Sequence, residues 1–393
     1  MPSFREIYFE FLAWLIVAVF CTTAAVSIWF WAKRQGRRLL LPSHQPVVPW
    51  TGLEIGTAFF LTHFFWPILV ISTLNHLAFF SLFYGWKSPV NLDSINSNEK
   101  TQINLWLTVW IFPLNMATVF LLFRIGSGTQ AQELGLSIHR PRENLALACL
   151  SWLVITPVVF GVNYLATVAY FGLTGSKPEP HPFALLAEES PTLLNGILIG
   201  VSTLTVAPIW EELMFRRVLQ SWLTQREWGG LLGLGLAFFI GLGAAVSGFK
   251  DVHNPTTKMV IAKLSPIFFI LVMLPGYFYG DRFLKKWIPD RKVFRGIYAT
   301  SLLFGMVHST TWPSPIALSG LGLGLGFLAY RTQTLMAPIL FHSLFNAVAC
   351  LTLVLPHTFP GWPKGSEETS ALTRSVPTAT CTRVPGSWQL RCR

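Results

Sequence analysis

Charge is scarce in this chain. Asp, Glu, Lys and Arg make up 12% of its 393 residues, against about 25% in ordinary soluble domains. A soluble protein of this size needs a polar skin, and so few charges cannot supply one. The shortage excludes an ordinary cytosolic enzyme. The hydrophobic content of 52% excludes an intrinsically disordered chain. Cysteine is scarce as well: five residues and no CxxC pair, which excludes a disulfide-stapled secreted domain. Cys21, Cys149 and Cys350 lie in apolar runs and read as small core hydrophobes, while Cys381 and Cys392 lie in a polar tail. Two hydrolase signatures are missing too. No G-x-S-x-G nucleophile elbow and no H-E-x-x-H zinc helix occurs.

What the chain has instead is long apolar runs. Stretches of ~17–25 such residues mark spanning helices. Ten appear: Phe9 to Ala32, Ile55 to Gly85 (kinked at Pro67 or extended past the bilayer), Ile103 to Phe123, Leu145 to Phe171, Leu193 to Phe215, Leu231 to Gly248, Leu264 to Gly280, Gly296 to Thr311, Pro315 to Tyr330 and Leu335 to Leu355. The first is too long for a signal peptide and lacks a small-residue cleavage site, so it reads as a span. The expected fold is all-α, a polytopic transmembrane helix bundle of about eight to ten spans. Residues 1–192 are expected to form N-terminal helices and loops, 193–355 a core, and 356–393, rich in Ser, Thr, Arg and Pro, a disordered tail.

The net charge of +11 would suggest nucleic acid in a soluble protein. Here basic residues flank spans and set topology, so no nucleic-acid partner is expected. Alternating the ten spans gathers 17 of the 29 Lys and Arg on one side. The positive-inside rule makes that side cytoplasmic and the N-terminus external. The expected location is a bacterial plasma membrane, with membrane lipid as a partner. Gly320, Gly322, Gly324 and Gly326, like Gly229, Gly230, Gly233 and Gly235, follow no strand and precede no acidic ribose ligand. They read as close-packing surfaces between helices, not as nucleotide loops.

Ionisable groups inside spans are costly, so each is a functional candidate. His63, Asn75, His76, Asn115 and Asn163 are isolated and read as satisfied structural groups. Three constellations stand out. In Glu211-Glu212-Leu213-Met214-Phe215-Arg216, Glu212 and Arg216 are i and i+4 and share a helix face. Glu211 points about 100° away. One carboxylate is thus held by arginine and the other left free for chemistry. Phe304 and His308 form a second i, i+4 pair, and His342 and Asn346 a third. The three come from different spans and are expected to converge in one buried polar pocket open to the cytoplasm.

These strings resemble the EExxxR, FxxxH and HxxxN motifs of the CPBP family, the type II CAAX prenyl endopeptidases and bacteriocin-processing relatives also called the ABI family. The resemblance covers about residues 193–350. It implies a membrane-embedded protease (CAAX-type processing or related) acting on a membrane-anchored or lipidated peptide or protein. In relatives the FxxxH helix follows the EExxxR helix closely. Here a long stretch intervenes, and residues 231–290 are read as an inserted helical hairpin.

The chemistry available is carboxylate, imidazole and amide. Glu211 can act as general base toward a water held with His308. His342 and Asn346 can donate to the developing oxyanion, with Arg216 holding Glu212. On this account no cofactor is needed. The alternative is a divalent metal such as zinc at Glu211, Glu212, His308 and His342, since the family is sometimes called a metalloprotease family. A non-enzymatic reading also stands, as a membrane scaffold or bacteriocin-immunity protein that keeps the motif pocket.

Overall fold

The computed structural model describes residues 4–36, 40, 47–77, 79, 82, 96–137, 139–178, 180–249, 256–353, 381–383 and 390–392, with side chains described only for those between 16 and 352. The fold is all-α and polytopic. Helices α1 (Phe4–Arg34), α2 (Gly52–His76), α3 (Ser97–Ser127) and α4 (Pro141–Thr174) lead to the short α5 (Pro182–Glu189). Then come α6 (Leu193–Leu223), α7 (Gly229–Gly248), α8 (Thr257–Leu284), α9 (Arg291–Met306), α10 (Ser314–Thr332) and α11 (Met336–Leu353). In the tail expected to be disordered, the described residues form one antiparallel ribbon, Cys381–Arg383 against Leu390–Cys392. The end of the second expected span, near Gly85, lies outside the described residues.

Local chemistry sets the helix ends. Asn96 and Glu99 close a capping box at the start of α3, with Glu99 N–H donating to Asn96 Oδ1 at 2.9 Å and Asn96 N–H to Glu99 Oε2 at 2.8 Å. Thr192, Thr256 and Asp290 cap α6, α8 and α9. Gly128 and Gly175 end α3 and α4 in the left-handed conformation, at φ 71° and 70°. Pro67 follows a wide π turn over Leu61–Phe65, where its missing N–H breaks the regular ladder.

Seven helices, α1 to α4 and α6 to α8, are long and apolar enough to cross a membrane. They make this an integral multi-pass membrane protein. Exposed apolar side chains such as Phe20, Leu53, Ile68, Phe268 and Val272 cover their outer faces. The last three expected spans behave differently. α9 has 16 residues, about 24 Å at ~1.5 Å per residue, short of the ~30 Å hydrocarbon core. It ends at Met306, not Thr311, and a short 3-10 turn over Ser309–Thr311 follows.

Nearly every residue of α9 is buried, between α7 on one side and α10 on the other. Glycines let the three helices close up. A Cβ at Gly233 would meet Ala299 Cβ at 3.0 Å, and one at Gly322 would meet Ser301 Cα at 3.1 Å. At Gly305 it would lie 2.5 Å from Pro315 O, a contact no side chain tolerates. The stretch read as an inserted hairpin is the antiparallel pair α7 and α8, and α7 forms one wall of this core. Apolar clusters also cross residue 192: Trp50, Val119 and Phe123 pack with Leu213, Met214 and Val218.

The helices alternate in direction. At one end Leu335 N–H bonds Gly135 O, Arg217 bonds Glu133 O, and Lys292 pairs with Glu227. This end gathers the basic loops. At the other end the segment 175–192 and the turn 307–313 come together.

Candidate active site

α6 is not a regular helix where it carries its carboxylates. Pro208 lacks an N–H, and the turns around it widen, Ser202–Val206 before and Glu212–Gln220 after. Wide turns of this kind change which way successive side chains face. Glu212 is fully buried and points into protein, whereas Glu211 borders a cavity of about 690 Å³.

Glu212 is fully engaged. Its Oε2 accepts from Arg216 Nε at 3.3 Å and its Oε1 lies 2.9 Å from His342 Nδ1. Arg216 is buried too, and its Cζ sits 4.7 Å from the centre of the Phe304 ring. That ring makes edge contacts with Phe215 at 5.4 Å and with His342 at 5.8 Å. Phe304 thereby seals the arginine from the cavity. Neither Nη of Arg216 has a hydrogen-bond partner, so the guanidinium depends on Glu212 and the ring face.

Glu211 is the open partner. His308 Nε2 lies 3.9 Å from its Oε1, and His342 Nε2 lies 3.9 Å from its Oε2. Both imidazoles are anchored through the other nitrogen. His308 Nδ1 is 2.8 Å from Phe304 O, and a carbonyl only accepts, so Nδ1 carries the hydrogen. His342 Nδ1 donates to Glu212 in the same way. In the neutral tautomer each Nε2 therefore presents a lone pair toward Glu211. Asn346 is placed one turn beyond His342 and donates Nδ2–H to Thr203 O at 2.8 Å, tying α11 to α6. The structure thus brings together Glu211, Glu212, Arg216, His308, His342 and Asn346.

The zinc set does not fit. Glu212 is committed to Arg216 and His342 and turned from the cavity. Among the described residues no three His, Cys, Asp or Glu side chains close up as a metal-holding group.

The isolated polar residues divide. His63 Nδ1 bonds Phe59 O at 3.1 Å and His76 Nδ1 bonds Ser72 O at 2.7 Å, so their own helix satisfies both. Asn75 also has a partner, and Asn115 is buried with Oδ1 unpartnered. Asn163 is different: it lines the cavity, and its buried Oδ1 has no partner. Two further cavity residues carried no sequence signal. Ser202 Oγ is buried and unpartnered. His181 caps α5 by accepting Phe183 N–H on Nδ1 at 3.2 Å and faces His308 across the cavity. Burial, and then the charge of His308, hold its pKa below the ordinary histidine value.

The cavity runs from Glu211 and His342 past Phe160, Asn163 and Phe345 to His181, Thr311 and Ser314. That is the end opposite the basic loops. Behind its floor Glu212, Arg216 and Phe304 are buried.

Residues 193–286 and 281–348 match the family described as "Type II CAAX prenyl endopeptidase Rce1-like", the family the motifs resemble. The matched residues include all three motif pairs and run through α7 and α8. No curated protein and no solved structure matches the chain.

Proposed function

We propose that this chain, whose residues 193–348 are of the Rce1-like type II CAAX prenyl endopeptidase family, a family of proteases, is a membrane-embedded endopeptidase that cuts peptide bonds with a water activated by Glu211. The observation that carries this reading is the approach of two anchored imidazoles to one free carboxylate at the floor of a large cavity. A water between Glu211 Oε1 and His308 Nε2 donates one O–H to each, which leaves its lone pair free for attack. Glu211 takes the proton as the oxygen bonds to the carbonyl carbon. The carbonyl π electrons move onto oxygen. Asn346 has a second amide hydrogen for that oxyanion.

His342, whose Nδ1 is engaged by Glu212, serves as a second donor to the oxyanion in the form that carries a hydrogen on Nε2 as well. Collapse of the tetrahedral intermediate breaks the C–N bond, and the proton on Glu211 passes to the leaving amine. Phe160, Leu318 and Phe345 line the cavity wall, which suits a membrane-anchored or lipidated peptide.

The test is a trap. Membranes from cells carrying the chain and from cells carrying Glu211→Ala are compared by peptide mass spectrometry. The substrate accumulates uncut with the variant, at equal protein abundance. Identical peptide profiles would sink the protease reading and leave the membrane scaffold or immunity protein in its place.

A further inference from the structure

We infer that the basic and aromatic surface where α7, α8 and α9 meet, at the basic end of the bundle, is a docking site for the headgroups of anionic phospholipid. The surface is built from the turn 224–228, the end of α8 with the loop after it, and the first turns of α9. It shares no residue with the lining of the catalytic cavity, so it stands apart from the protease reading. Lys292 Nζ lies 3.0 Å from Glu227 Oε1 and fixes the turn beside α9. Gly230 lets α7 close on both neighbours: a Cβ there would lie 2.6 Å from Tyr277 Oη and 2.9 Å from Arg295 Cβ.

Charge is the first argument. Three carboxylates lie on this surface, and each is spent. Asp281 Oδ2 pairs with Arg291 Nε at 3.5 Å, Glu227 pairs with Lys292, and Asp290 Oδ1 accepts Lys292 N–H at 2.8 Å as the cap of α9. Arg226, Arg282, Lys285, Lys286 and Arg295 are left over, and among the described residues no carboxylate pairs with them. Aromatic rings hold most of these instead. Arg226 Cζ lies 4.2 Å from the centre of the Trp222 ring, Arg282 Cζ 5.2 Å from Tyr279, Lys286 Nζ 5.9 Å from Trp287 and Arg295 Cζ 5.2 Å from Tyr277. A ring face fixes a cation through its charge and consumes none of its N–H groups, whereas an ion pair consumes them. The cations are thus positioned with donors to spare, and a phosphate diester is an acceptor for such donors.

Depth is the second argument. α8 has 28 residues, about 42 Å at ~1.5 Å per residue, and a bilayer with its headgroup layers is about 40–45 Å thick. Its apolar run ends at Gly280, and the cations follow within two turns, at headgroup level. Phe283 and Leu284 are exposed between Arg282 and Lys285, and the rings of Trp287, Tyr279 and Trp228 are exposed as well. Nucleic acid or an acidic protein would satisfy the cations and leave these side chains in water. The boundary of a bilayer takes both, with rings and Phe283 at the acyl edge and the ammonium and guanidinium groups at the phosphates. Each cation held at an anionic lipid surface adds about fivefold in affinity.

Lipid titration tests this. The full chain, purified in dodecyl maltoside and stripped of lipid, is melted with increasing dioleoyl phosphatidylglycerol, and in parallel with dioleoyl phosphatidylcholine or inorganic phosphate. Phosphatidylglycerol raises the melting temperature and the other two do not, because a ligand that binds only the folded chain stabilises it. Lys285→Gln combined with Lys286→Gln melts like the parent without lipid and needs about 25-fold more phosphatidylglycerol for half of the rise. Lys33→Gln combined with Arg34→Gln removes the same charge from exposed residues at the end of α1 and leaves the titration unchanged. Should a variant fail to accumulate, the parent alone still tests the charge argument: about 0.5 M NaCl weakens its response to phosphatidylglycerol severalfold. No rise with phosphatidylglycerol, an equal rise with phosphatidylcholine or inorganic phosphate, equal losses in the two variants, or a response indifferent to salt overturns the inference. No cleavage is measured, so the outcome is the same whether or not the chain is a protease.

Discussion

Glu211 and Glu212 are neighbours in the chain and opposites in the fold. Glu212 has no exposed side-chain surface and spends both oxygens on Arg216 and His342. Glu211 lines a cavity, and its Oε2 has no hydrogen-bond partner although it is buried. One residue's rotation along α6, in a stretch of widened turns, sends one carboxylate into protein and the other toward the cavity. One side of the site holds the architecture, and the other is left reactive because nothing in the protein satisfies it.

The largest expected effect breaks the closed side. Arg216→Ala leaves Glu212 as an uncompensated buried charge, at a cost of about 3–5 kcal/mol. In detergent the variant melts far below the parent or fails to accumulate. A normal melting temperature would show that His342 alone suffices for Glu212 and that the closed side is not a structural clamp.

The next expected effect falls on the open side alone. Glu211→Gln keeps shape and loses the base. Its melting curve stays with the parent's, while the rate of peptide cleavage falls by about 10²–10⁴. Destabilisation as large as that of Arg216→Ala would erase the contrast between the two carboxylates.

Much of the site was legible because its motifs are local. An i, i+4 spacing places Glu212 with Arg216, Phe304 near His308, and His342 near Asn346 on any helix. The longer contacts were not legible. That His342 Nδ1 serves Glu212, 130 residues away, depends on how α11 packs against α6. The same holds for the bond from Asn346 to Thr203 O. Apolar runs gave the helices of the bundle, yet they made α9 a span like the others. Its burial comes from the glycine faces of α7 and α10, and hydropathy does not count neighbours. That the short α5, outside any span, borders the cavity was not legible from the spans either.

Asn346 sits between the two regimes. Asn346→Ala removes one donor to Thr203 O, worth about 1 kcal/mol, and the second amide hydrogen assigned to the oxyanion, worth about 10²–10³ in kcat. Melting therefore drops slightly while turnover drops strongly, with KM little changed. A fall in stability with unchanged kcat would make Asn346 only a tie between α11 and α6.

The smallest effect lies at the α5 end of the cavity. His181 has a lowered pKa in the fold, first from burial and then from His308. Below the ordinary histidine value the unfolded chain takes up a proton that the folded chain does not, so stability falls as pH falls through that value. Above it the contribution is complete and constant. His181→Asn keeps a side-chain acceptor for the Phe183 N–H, and so keeps the cap, but removes the titrating group. Melting temperature measured from about pH 7.5 to about pH 5.5 should decline less in the variant than in the parent. Equal declines would show that His181 does not carry the pH sensitivity of the fold.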